Sequence, residues 1–137
     1  MMTTEEKAEK AVMLRQARSH SCCQSVAEVL TEELPVDPAI VHQLAAGFAA
    51  GMGNMEGTCG AMVGAAMAVG LKMQGSRGAV AKAREVQEEF TRRCGALVCR
   101  ELKGVGTGRV LCPCEDCVRN AVRAYDAVMG EKGKDAQ

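Results

Sequence analysis

The sequence predicts an all-α fold, a compact bundle of about five to six helices joined by glycine-rich loops. Three observations carry that expectation. Apolar residues recur at intervals of three and four in one segment after another. No run alternates with the period of two that a half-buried strand shows. Capping and breaking residues punctuate the periodic segments at helix-length intervals.

Thr3 with Glu6 forms a capping-box pattern that opens a first helix, expected to reach Ser19. A second helix is expected from Cys22 to Leu34, with Val26, Val29, Leu30 and Leu34 on one face and Pro35 ending it. Asp37 as N-cap and Pro38 at the first helical position open a third, running to Phe48. Four glycines and Asn54 between Gly47 and Gly57 read as a turn. Thr58 then caps a fourth helix from Cys59 to Met73. It is apolar nearly all round, so it is expected at the buried centre. Gly60, Gly64 and Ala68 lie four apart on it, a spacing of small residues that admits a close helix neighbour.

A fifth helix, Ala79 to Arg93, carries Ala79, Ala83, Val86 and Phe90 as its stripe and ends at Gly95. Gly104, Gly106 and Gly108 mark a loop. The last helix, Glu115 to Met129, turns Val118, Ala121, Val122, Tyr125 and Val128 inward. Residues 1–130 thus read as one helical domain and 131–137 as a polar, frayed tail.

Composition narrows the function classes. Seventeen basic residues balance seventeen acidic ones, so no net field draws nucleic acid or an anionic membrane. The aromatic side chains are Phe48, Phe90 and Tyr125, too few for a base-stacking platform. Gly57 to Leu71, the longest uncharged central run, is too short to span a bilayer, and the charged N-terminus lacks a signal core. The expectation is a cytoplasmic chain with no membrane insertion. Its core of Ala, Val, Leu and Met buries little area per residue, and a cofactor or a homo-oligomer contact would add stability.

The chemistry lies in eight cysteines: Cys22, Cys23, Cys59, Cys94, Cys99, Cys112, Cys114 and Cys117. An intracellular chain with this many thiols uses them for metal or redox chemistry rather than as static crosslinks. Cys22, Cys59 and Cys114 stand at expected helix starts, where free N–H groups and the helix dipole favour thiolate. That points to a shared site. Cys94-x4-Cys99 and Cys112-x-Cys114-x2-Cys117, facing each other across a glycine loop, also allow a local structural zinc site, although strand signals do not flank them. Cys114-x2-Cys117 alone is a dithiol spacing without the βαβ context of a thioredoxin motif. His20 precedes Cys22 by two and reads as a solvated helix-end residue, and His42 reads as structural. A Ser-His-Asp arrangement cannot be argued. Gly104-x-Gly106-x-Gly108 lacks the strand and helix that flank a phosphate loop.

Several segments together resemble one known family. Ser21-Cys22-Cys23-Gln24-Ser25-Val26 is similar to the opening Asn-Cys-Ala-Gln-Ala-Val element of the C_GCAxxG_C_C proteins, and Thr58-Cys59-Gly60-Ala61-Met62-Val63-Gly64 to their name-giving Cys-Gly-Ala-x-x-Gly element. Phe90 through Gly95 and Cys99-Arg100-Glu101-Leu102 resemble the third cysteine segment, and Cys114 heads a helix as the fourth cysteine does. The resemblance covers roughly residues 10–129. It implies a helical redox-active protein with four characteristic cysteines, Cys22, Cys59, Cys99 and Cys114. Cys112 and Cys117 stand as alternative fourth ligands, and Cys23, where the family often has Ala, reads as core. Similar domains inside c-type cytochromes imply electron transfer to and from a redox partner protein. Four thiolates from separated helix ends suit an iron–sulfur cluster. A cofactor-free thiol–disulfide protein and a structural zinc domain are the alternatives. On each reading the chain is a redox or binding protein rather than an enzyme with its own substrate.

Overall fold

The first three helix starts are each fixed by a short polar device. In a computed structural model, which describes residues 2–130, seven α-helices run in the order α1 (Thr4–Gln16), α2 (Cys22–Leu30), α3 (Pro38–Ala45), α4 (Gly60–Lys72), α5 (Gly78–Cys94), α6 (Cys99–Lys103) and α7 (Cys114–Met129). The tail expected over 131–137 lies outside the described residues. Thr3 closes a capping box with Glu6, and Ser21 closes a second with Gln24. Asp37 caps α3, and Pro38 occupies its first turn. The fold is all-α. Among the described residues the β-type pairing is one isolated antiparallel bridge, Thr58 with Val98.

Several boundaries differ from the expectation for local reasons. The first helix stops at Gln16 because Arg18 turns left-handed at φ 63°. The second stops at Leu30, where the Thr31 hydroxyl donates to the Ala27 carbonyl at 2.8 Å and competes with the helical ladder. The third gives way to a 3₁₀ turn over Ala46–Phe48. Cys59, not Thr58, is the N-cap of α4, since Thr58 is held in the bridge. The stretch from Cys99 to Lys103, expected as loop, is a one-turn helix.

The core forms where α4 meets α2, α5 and α7, and α1 lies across α2 and α7. Phe90 and Leu102 are its largest fully buried side chains. Burying one such side chain contributes about 1.5–3 kcal/mol. Helix α4 lies at this centre, yet α2 is buried over a larger share of its length. Seven of the nine residues of α2 are buried against seven of the thirteen of α4, because one flank of α4 faces outward at Leu71 and Lys72.

Small residues set the α2–α4 approach. A Cβ on Gly64 would sit 2.6 Å from the Cys23 carbonyl oxygen and 3.0 Å from the Ala27 nitrogen. The two backbones are therefore in direct contact at Gly64, and Gly60, one turn earlier, lets α4 approach the Cys22 Sγ and the Cys23 Cβ. Helix α1 is tied to α7 by polar contacts: Asp126 accepts from Thr4 at 2.6 Å and Lys7 at 2.7 Å, Arg119 pairs with Glu9 at 2.8 Å, and Arg123 pairs with Glu5 at 2.9 Å. Ala8, Ala11 and Val12 are buried beneath these contacts.

Candidate functional site

The start of α2 is set by the Ser21 capping box, in which Gln24 N–H donates to the Ser21 hydroxyl at 3.3 Å and Gln24 Oε1 accepts from Ser21 N–H at 2.9 Å. Cys22 thereby becomes the first helical residue. Cys23, about 100° further round the helix, turns into the core beside Val41 and Ala45. Its Sγ meets the Met67 Sδ at 3.8 Å. The core role expected for Cys23 is what the structure shows.

Cys59 and Cys99 are brought together by the isolated bridge. Cys59 N–H donates to the Leu97 carbonyl at 2.8 Å, and Cys99 N–H donates to the Gly57 carbonyl at 3.0 Å. This strand-like pairing sets the starts of α4 and α6 side by side. Cys114 is the first residue of α7, directly after the extended Pro113. The segment 49–55 folds over the group. Gly51 takes a left-handed φ of 57°, and a Cβ there would lie 2.7 Å from the Cys99 Cβ. Ala50, also left-handed at φ 52°, adopts a conformation that costs a non-glycine residue energy, a feature that clusters at functional sites.

The result is a cavity of about 230 Å³ lined by Cys22, Cys59, Cys99, Cys114 and Cys117, with Arg15, Lys103 and Met55 among its other walls. All four cysteines singled out from the sequence line it. Of the alternative fourth cysteines, Cys117 reaches the lining and Cys112 does not. Arg15 and Lys103 were not visible as site residues. They come from α1 and from the unexpected α6, and no spacing in the sequence ties either to a cysteine.

The electrostatics of the cavity are those of crowded thiols. Burial, and then the neighbouring Cys59 and Cys114, push the Cys22 thiol above its ordinary value, while the Ala50 N–H works the other way. The Cys117 thiol, and then burial, raise Cys59, opposed by the Ala61 N–H. Burial and then Cys59 raise Cys99. Burial alone would lower Lys103, but Cys117, Cys114 and Cys59 outweigh it and hold the ammonium above its usual range. A cationic centre among these sulfurs would reverse their mutual repulsion.

The five C-terminal cysteines, whose spacing also allowed one local zinc group, are divided. Cys99 and Cys114 face the cavity, whereas Cys94 and Cys112 gather in the core with Cys117, which also reaches the cavity lining, their three sulfurs all within 4.8 Å of one another. The division follows from Pro113, which turns the chain between Cys112 and Cys114. The histidines lie apart from the thiols. His20 Nε2 and His42 Nδ1 stand 3.1 and 2.9 Å from the two oxygens of Glu28.

No described helix is long and apolar enough to cross a membrane. No curated protein and no solved structure gives a significant match. The model of the C_GCAxxG_C_C family, described as "putative redox-active protein", matches residues 20–128. That span takes in the capped start of α2, the Cys-Gly-Ala-Met-Val-Gly turn into α4 and nearly all of α7, and the chain belongs to the C_GCAxxG_C_C family.

Proposed function

We propose that this chain is an electron-transfer protein that holds an iron–sulfur cluster through Cys22, Cys59, Cys99 and Cys114. One observation supports the reading above the others: four cysteines from four separate helix starts line a single cavity. The donor set fits the group. The cavity offers thiols without a carboxylate or imidazole among its lining residues, which favours iron–sulfur or another soft centre over a hard cation. A single tetrahedral ion, with metal–sulfur bonds of about 2.3 Å, needs sulfurs about 3.8 Å apart. Among the described residues, the only three cysteines within 4.8 Å of one another are Cys94, Cys112 and Cys117, so no three of the cavity thiols stand as close together as one such ion requires.

When bound, the cluster supplies one-electron redox chemistry to a partner protein. The protein's part is electrostatic. Lys103 and Arg15 line the cavity as cations and offset thiolate charge. The N–H groups of Ala50 and Ala61 favour the ionised forms of Cys22 and Cys59. Hydrogen bonds to sulfur and nearby charge tune a cluster's potential. Ala49, Ala50 and Met55 add an apolar wall. Eight unpaired thiols fit a reducing compartment, and we place the chain in the cytoplasm.

Anaerobic reconstitution with iron and sulfide, read by visible absorption and its bleaching with dithionite, tests the proposal. Cys59→Ser should abolish uptake, and Cys23→Ala should leave it within about twofold, since Cys23 faces the core. A colourless wild-type protein whose thiol count rises on reduction would replace the cluster with thiol–disulfide cycling. Full uptake by Cys59→Ser would remove that residue from the site.

A further inference from the structure

Cys94 and Cys112 do not line the cavity, and Cys117, which reaches its lining, packs against them. Cys94 ends α5, Cys112 precedes the turn into α7, and Cys117 lies in the first turn of α7. They are 4, 3 and 1 % exposed, and their sulfurs all lie within 4.8 Å of one another. Cys23 shows what a packing cysteine looks like in this fold: its hydrogen-bond-range sulfur contact is a thioether. The triad differs, because polar donors are aimed at its sulfurs. Lys103 Nζ lies 3.3 Å from Cys117 Sγ and also donates to the Cys112 carbonyl at 3.3 Å. Asn120 Nδ2 lies 3.5 Å from Cys94 Sγ. A thiol is a weak acceptor, whereas a donor facing a thiolate makes a charge-assisted bond. Donors arranged behind ligand sulfurs are what orients a metal site.

We propose that Cys94, Cys112 and Cys117 form a second metal site, a buried three-thiolate centre for one thiophilic d¹⁰ ion, zinc(II) or copper(I). The dimensions fit. An ion at the centre of three sulfurs with bonds of about 2.3 Å places them about 4.0 Å apart, inside the observed limit. The charge also fits: three thiolates leave zinc at −1 and copper(I) at −2, and the Lys103 ammonium offsets one unit. Each thiol that becomes a ligand releases its proton to solvent. Zinc favours a fourth ligand, and among the described residues no further His, Cys, Asp or Glu ligand atom lies within 4.8 Å of all three sulfurs, so water would complete a zinc site. Copper(I) accepts three thiolates, so the two ions make different demands on the same sulfurs. This site does not rest on the cluster reading.

The full chain carrying Cys22→Ser and Cys114→Ser removes two cavity thiols and leaves the triad intact. Under anaerobic conditions it is titrated with zinc against a chromophoric chelator, and separately with copper(I) against a copper(I)-selective chelator. One ion per chain is expected in at least one arm, and the tighter arm identifies the ion. Adding Cys94→Ser should weaken binding by at least about 100-fold, more than second-shell changes do. Cys94→Ala and far-ultraviolet circular dichroism guard against misfolding. Stoichiometric binding in neither arm overturns the proposal, as does undiminished binding with Cys94→Ser in a helical protein. The single Cys94→Ser variant should keep wild-type iron–sulfide uptake. Loss of that uptake with helicity retained would make Cys94 part of the cavity site and overturn a separate centre.

Discussion

Gly64→Ala is the sharpest test of the helix packing that carries the site. The added methyl would meet the Cys23 carbonyl oxygen at 2.6 Å, the Ala27 nitrogen at 3.0 Å and the Val26 Cβ at 3.2 Å. Two of those atoms are backbone and cannot rotate away. Restoring an ordinary carbon–oxygen contact of about 3.4 Å requires α2 and α4 to part by roughly 0.8 Å, and close-packed interiors resist such a shift. Overpacking of this kind costs about 1–3 kcal/mol, and contact with backbone places this case near the top of that range. The better helix propensity of Ala returns about 1 kcal/mol. The net loss is about 2 kcal/mol, which for a chain of this size lowers Tm by roughly 7 °C.

Gly70→Ala is the internal control. It lies on the same helix, and a Cβ there meets nothing within 4 Å. It should hold or raise Tm. Thermal melts followed by circular dichroism read both variants. A Gly64→Ala protein melting at or above the wild-type temperature would refute the close α2–α4 contact. Gly64→Leu, bulkier still, should cost several kcal/mol.

Gly60→Ala would place a methyl 2.6 Å from the Cys22 Sγ, so iron–sulfide uptake in the reconstitution assay should fall sharply while Gly70→Ala leaves it unchanged. Asp126→Ala removes the acceptor shared by Thr4 and Lys7 and should cost about 2 kcal/mol by urea unfolding, with Lys7→Ala costing less. Tyr125 is buried, and burial followed by the neighbouring Asp126 pushes its phenol from 10 up to about 12. The unfolded chain therefore loses this proton first. The contribution is fully present below pH 10 and is lost towards pH 12, at up to about 1.4 kcal/mol per pH unit. Tyr125→Phe should flatten that alkaline fall in a pH series of denaturant melts.

The parts of the fold that a few neighbouring residues decide could be read from the sequence. The Thr3–Glu6 box, the Asp37–Pro38 start and the small-residue stripe of α4 each act within one or two turns, and each stands where expected. Helix α6 could not be read this way. Its five residues are too few to show a period, and it is held from outside, by burial of Leu102 and by the Leu102 carbonyl, which accepts from the Leu111 and Cys112 N–H groups. The sorting of the cysteines was half legible. Helix-start positions marked Cys22, Cys59 and Cys114. The separation of Cys112 from Cys114 depends on the direction of the chain at Pro113, and the approach of Lys103 to Cys117 depends on tertiary packing. Neither leaves a mark in residue spacing.

The cavity wall is assembled from the first helix, through Arg15, and from the last, through Cys114 and Cys117. A growing chain therefore has no such pocket until α7 has been made and has docked. Whatever occupies the pocket must be delivered after α7 has docked, and a ribosome-bound fragment without α7 would present loose thiols to the same supply of metal. Truncation within α7 would then give a chain that is undersupplied with cofactor from the start, rather than one that acquires it and later loses it.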